Sequence, residues 1–151
     1  MVLSTGDPAP AVSAENQHGE TVAPDFAEPT VLYFYPRDGT PGCELEANQF
    51  EAEYDTYRDA GVDVYGVSTD DVASHREFAA DNDLEFDLLA DPSGEVAEAF
   101  GLDVTDDYTP RTTFVLDDDE VRAVYESVDP DGHARTVLED GLDSGLVALD
   151  D

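Results

Sequence analysis

Residues 29–50, "PTVLYFYPRDGTPGCELEANQF", pass from one structural element to another through a short polar loop. Val31 to Tyr35 is a continuous apolar run bounded by Pro29 and Pro36, the pattern of a strand covered on both faces. From Cys43 onward, Ala47, Phe50, Tyr54 and Tyr57 recur at helical spacing and form one face, while Glu44, Asn48, Glu51, Asp55 and Arg58 line another. Strand, loop and helix in that order predict an α/β fold, with the loop at the sheet end where sites of such folds form. The only cysteine of the chain, Cys43, heads the stripe that the helix buries.

Similar patterns flank this unit. "GVDVYGVST" (Gly61 to Thr69) and "RTTFVLDDDEVRAVYES" (Arg111 to Ser127) read as strands, the latter folded into a hairpin at the acidic turn Asp117 to Glu120. Shorter helices are expected at Val72 to Asn82, Glu95 to Phe100 and His133 to Leu142, with a brief strand and turn in "FDLLADPSG". "AVSAENQHGETV" near the N-terminus reads as a hairpin turning at His18-Gly19. Together these predict a mixed central sheet flanked by helices and preceded by an N-terminal hairpin. The 151 residues suit one domain spanning 1–151, with no linker or repeat.

Charge narrows the possible partners. The chain carries 38 Asp and Glu against six cations, all arginine, for a formal net charge of −32. Such a surface repels nucleic-acid phosphates and anionic lipid, so neither partner is expected. The apolar runs are regular, which favours a folded domain with an acidic coat over disorder. Self-repulsion would loosen this coat in dilute buffer, whereas at ~1 M salt the Debye length falls to ~3 Å; a halophilic source is the economical explanation. No apolar stretch approaches the ~18 residues of a membrane span, and "MVLSTGDPAPAV" lacks a basic region followed by an apolar run. A cytoplasmic protein is expected, and the solitary cysteine fits a reducing compartment.

Thr40 is a good N-cap and Pro41 suits the first helical position, which places Cys43 third in the first turn. Unpaired N–H groups and the positive end of the helix dipole there favour a thiolate over a thiol. Glu44 and Glu46 oppose that, so a nearby cation is needed. Arg111 is the best candidate, because it opens a core strand whose end meets helix N-termini; Arg37 is close in sequence but lies in the loop, where water could solvate it. Packing alone would also choose a small apolar cysteine here. Gly42, which permits close approach, and the hydroxyl of Thr40 shift the reading towards a reactive site.

"Pro36-Arg-Asp-Gly-Thr40-Pro-Gly-Cys43" resembles the peroxiredoxin signature P-x-x-x-[TS]-x-x-C, and "LYFYPRDGTPGC" is similar to the bacterioferritin comigratory protein (PrxQ) branch. "GDPAP", "GVSTD" and "RTTFVLD" are similar to segments of that family in the same order, so the resemblance covers essentially the whole chain. It implies a thioredoxin-like fold and a thiol-dependent peroxidase acting on hydrogen peroxide or organic hydroperoxides. It further implies that Cys43 is the peroxidatic cysteine, that Thr40 hydrogen-bonds the peroxide, that Pro36 shields the sulfur from water, and that Arg111 is the active-site arginine. Many members of the branch carry a resolving cysteine five residues after the first, where this chain has Asn48. A one-cysteine mechanism is therefore expected, with an external thiol or thioredoxin-like reductant; the one-cysteine alkyl hydroperoxide reductase E type is an alternative branch. No cofactor is expected, and a monomer or homodimer is.

His18, His75 and His133 share no metal-ligand spacing and are expected to be exposed, His75 within the polar "SHRE" of a surface helix. Glu46 either orients an arginine near the pocket or is an exposed helix carboxylate. Tyr33, Phe34 and Tyr35 are first of all core residues. A competing reading is a redox-sensing binding protein, in which oxidation of Cys43 alters an interface without sustained turnover.

Overall fold

The computed structural model describes residues 2–104, 108–126 and 128–143. Its centre is the strand read first. β3 (Thr30–Phe34) is buried at every position, because its two faces enter different cores. Val31 and Tyr33, with Tyr35 just beyond the strand, join a cluster containing Phe50, Tyr57, Phe86, Leu88 and Leu138. Leu32 and Phe34 join Phe26, Leu89, Phe100, Phe114 and Val121 on the other side. The period-two alternation of a strand thus divides one apolar run between two layers.

In chain order the elements are β1 (Ala14–Glu15), β2 (Thr21–Val22), β3, α1 (Pro41–Asp59), β4 (Asp63–Ser68), α2 (Val72–Asp81), β5 (Asp87–Ala90), α3 (Glu95–Ala99), β6 (Thr112–Asp117), β7 (Glu120–Tyr125) and α4 (His133–Asp143). The sheet runs β2-β1-β5-β4-β3-β6-β7. β3, β4 and β5 are parallel, each joined to the next through a helix, whereas β6 is antiparallel to β3 and β7 to β6. The expected mixed sheet, flanking helices and N-terminal hairpin are all present. The β6–β7 turn uses Asp118 and Asp119 at φ 55° and 58°, a left-handed pair that suits the right-handed twist of a hairpin.

α1 obeys its pattern: Cys43, Ala47, Phe50 and Tyr57 are buried, while Asn48, Asp55 and Arg58 are exposed. α4 packs beside α1, where the Tyr57 hydroxyl donates to the Ala134 carbonyl. The register of β3 against β6 pairs Phe34 with Thr112. That pairing carries Arg111 to the sheet end at which the loop after β3 enters α1. Among the described residues no peptide bond is cis and no helix is long and apolar enough to cross a membrane.

Candidate active site

Cys43 is the third residue of α1, following Thr40 in extended conformation (φ −81°, ψ 148°) and Pro41 in the first turn. Its side chain is 1% exposed. A helix leaves its first N–H groups without intrahelical acceptors, so the sulfur sits against the positive end of a 19-residue helix. The Arg111 guanidinium completes the pocket: Nη2 donates to Cys43 Sγ at 3.4 Å and Nη1 to Glu46 Oε1 at 2.7 Å. The cation chosen on charge and strand position thus meets the sulfur.

Glu46 resolves its two alternatives in favour of the buried one. It is fully buried, one helical turn beyond Cys43, and ion-paired with Arg111. Burial pushes its carboxyl up to about 7, although Arg111 pulls the other way. Its Oε2 has no hydrogen-bond partner among the described residues. Arg111 loses some hydration, but Glu46 and Cys43 together more than offset that loss and reinforce its positive charge. A carboxylate on the far side of the guanidinium also fixes its plane, leaving the second nitrogen aimed at sulfur.

Gly42 has an unexpected use. A Cβ built there would lie 3.3 Å from Arg111 Nη2 and 3.6 Å from Pro130 Cγ. The space it leaves is filled by the guanidinium. Thr40 occupies the N-cap position, but its hydroxyl donates to the Arg37 carbonyl at 3.1 Å and makes no capping bond. Pro36 is half-buried at the start of the loop. Arg37 is exposed, and its Nη1 donates to the Tyr108 hydroxyl at 2.9 Å. Tyr33, Phe34 and Tyr35 are buried core residues, as expected.

Two histidines depart from expectation. His18 is exposed, but His75 is 0% and His133 6% exposed. His75 shares the buried side of α2 with Phe78 and Ala79, three and four residues on, a spacing visible in the sequence beneath the polar letters around it. His133 meets the Thr113 hydroxyl at 2.8 Å and packs edge-on against Tyr125 and Phe50. Burial lowers its titration to about 4, with Arg111 adding to the effect. Asp38, Asp70 and His75 bring metal-type donor atoms within 4.8 Å of one another. All three side chains are engaged in protein hydrogen bonds.

Residues 5–124 match the model of the AhpC/TSA family. The chain belongs to that family. Among its relatives, peroxiredoxin Q of Triticum aestivum, a chloroplast protein, is 40% identical over 119 residues, 76% of this chain and 55% of that protein. The Coxiella burnetii peroxiredoxin bcp is 35% identical over 148 residues, 91% of this chain and 98% of the relative. Among solved structures, the bacterioferritin comigratory protein of Xanthomonas campestris superposes with a TM-score of 0.84 at 28% identity, covering 94% of this chain and 99% of that one. The family member described here has the thioredoxin-like architecture and the peroxiredoxin Q kinship that the motifs implied, and it contains a single cysteine.

Proposed function

We propose that this chain is a one-cysteine, thiol-dependent peroxidase, with Cys43 as nucleophile and Arg111, Thr40 and Pro36 as its support. One observation carries the reading: the Arg111 guanidinium lies 3.4 Å from a sulfur at the head of α1. A helix tip and a guanidinium both present positive charge to the one sulfur. They also remain in place to stabilise charge that develops in the reaction. Peroxidase activity fits the relatives named as peroxiredoxins, and the Xanthomonas protein is described by its alkyl peroxide reduction activity.

In the first step the Cys43 thiolate attacks the hydroxyl-bearing oxygen of a hydroperoxide. An S–O bond forms and the O–O bond breaks; sulfur loses two electrons and becomes sulfenic acid, and the alkoxide or hydroxide leaves with a proton from solvent. Arg111 stabilises the leaving oxygen. The Thr40 hydroxyl has committed its hydrogen to the Arg37 carbonyl, so its lone pairs are free to accept the peroxide's own O–H. Pro36, at the mouth of the loop, limits water.

Asn48 stands where many relatives carry a resolving thiol, and the chain has no second cysteine. An external thiol must attack the sulfenic acid, releasing water and leaving a mixed disulfide; a second thiol then restores Cys43 and departs as its own disulfide. A single domain in a reducing, salt-rich cytoplasm suits this cycle. The test is peroxide consumption in concentrated KCl with a panel of thiols. Many turnovers with at least one thiol, and none after Cys43→Ser, are expected. Consumption that stops at one equivalent with every thiol would overturn the enzyme reading.

A further inference from the structure

The loop that presents Thr40 and Cys43 is tied to α2 by a buried polar cluster with no part in the steps above. Asp38, midway between Pro36 and Thr40, is its hub. Its Oδ1 accepts from the Tyr35 hydroxyl at 2.6 Å, and its Oδ2 accepts from Ser74 Oγ at 2.9 Å and lies 2.7 Å from His75 Nδ1. Its N–H donates to Asp70 Oδ2, which also accepts from Ser68 Oγ. On the far side of the imidazole, Nε2 faces the Leu89 carbonyl at 3.0 Å.

These contacts fix the hydrogens. A carbonyl oxygen only accepts, so His75 Nε2 carries a proton. If Nδ1 carried none, its lone pair would face a carboxylate oxygen at 2.7 Å with nothing between them. The axis therefore holds a second proton, between Nδ1 and Asp38 Oδ2. Acidic groups surround it. Tyr35 and Asp38 meet it from the loop, Asp70 lies close by on the β4–α2 turn while Asp71 caps α2, and Glu44, Glu77 and Asp81 line the adjoining cleft. β5 contributes the Leu89 carbonyl. Of the neighbouring arginines, Arg37 donates to the Tyr108 hydroxyl and Arg76 to the Gln17 carbonyl.

We propose that His75 is a positioning residue for peroxide reduction: its doubly protonated ring clamps Asp38 and so holds the Pro36–Thr40 turn, and with it the Thr40 hydroxyl, in the reactive arrangement. The coupling is short, because the Thr40 hydroxyl bonds the carbonyl of Arg37, the residue before Asp38. Without the Nδ1 proton two acceptors would stand face to face and the loop would be released. The inference rests on the peroxidase reading for its consequence, but the protonation of the ring stands apart from it.

The experiment combines ring-nitrogen NMR of the intact protein with single-turnover oxidation of Cys43 by hydrogen peroxide. In protein labelled with 15N-histidine, His75, assigned by its loss in His75→Leu, is expected to show two protonated ring nitrogens at neutral pH. His75→Leu is expected to slow Cys43 oxidation about 10- to 100-fold, the scale of a small misplacement of reacting groups. Asp38→Asn supplies the decisive comparison, because an amide N–H donates to a neutral imidazole and restores the clamp without the extra proton. The variant is expected to show one protonated ring nitrogen and a rate near that of the wild type. The ratio of wild-type to Asp38→Asn rates, in which the ionisation of Cys43 cancels, is expected to fall as the second ring proton is lost. A neutral His75 in the wild type at neutral pH, or a ratio unchanged across that loss, overturns the proposal even if His75→Leu fails to fold. A wild type whose Cys43 is never oxidised would instead sink the peroxidase reading and leave the NMR result standing.

Discussion

At the scale of single residues, the sulfur, the guanidinium and the buried carboxylate of Glu46 act as one unit. Arg111→Met is expected to lower the rate constant for peroxide oxidation of Cys43 by about 10²- to 10³-fold, the usual loss when one preorganised donor is removed. Stopped-flow fluorescence or competition kinetics reads it. Glu46 supplies a pH signature. Its carboxyl titrates at about 7 in the fold, raised by burial, against about 4.3 in an unfolded chain. Between those values the unfolded chain loses its proton first. The stability that protonated Glu46 contributes is therefore present at acid pH and is lost as pH rises through about 7. Glu46→Gln removes this slope: denaturant unfolding at several pH values should show the variant gaining on the wild type from pH 5 to 7.5. Parallel curves would contradict the burial of an ionisable Glu46.

At the scale of elements, α1 and α4 make separable predictions. Gly42 in the first turn of α1 has no positive φ, so alanine fits the backbone and should add up to about 1 kcal/mol of helix propensity. Its methyl group would crowd Arg111 Nη2. Gly42→Ala is thus expected to raise the melting temperature slightly while slowing Cys43 oxidation, a combination that loss of folding could not produce. α4 is held by His133, whose burial keeps it neutral down to about 4. Since an unfolded histidine takes up its proton near 6.5, the stability it contributes is lost as pH falls from about 6.5 to 4. His133→Phe should show a smaller drop in melting temperature between pH 7 and 5 than the wild type. The elements themselves were largely legible in the sequence, because β3 and α1 carry clean periods and the β6–β7 turn carries its aspartates. Cys43 and Arg111 were legible too, through a helix start and a count of the few cations. What periodicity could not supply was the partner of each buried polar group. Asp38 and His75 are 37 residues apart, so the spacing to Phe78 and Ala79 marks the face of His75 but does not name its partner. Glu46 left a fainter trace, one turn from Cys43 and so on its side of the helix.

At the scale of the whole molecule, a net charge of −32 on 151 residues sets the conditions under which the fold holds. Repulsion among the 38 acidic groups is screened over ~3 Å at ~1 M salt but over ~10 Å at 0.1 M. The melting temperature is expected to climb steeply as KCl is raised from 0.1 M to 2 M, by calorimetry; a flat response would refute the acidic-coat argument. On the proposed mechanism, peroxide oxidation begins at the chain's one thiol, Cys43. Treating the fully reduced protein in concentrated KCl with one equivalent of hydrogen peroxide, without added thiol, and mapping the product by mass spectrometry after dimedone trapping tests that most directly. A single adduct is expected, on Cys43, formed as the peroxide disappears and absent from Cys43→Ser. Peroxide that persists beside an unmodified Cys43, or is consumed equally well by the serine variant, would contradict it.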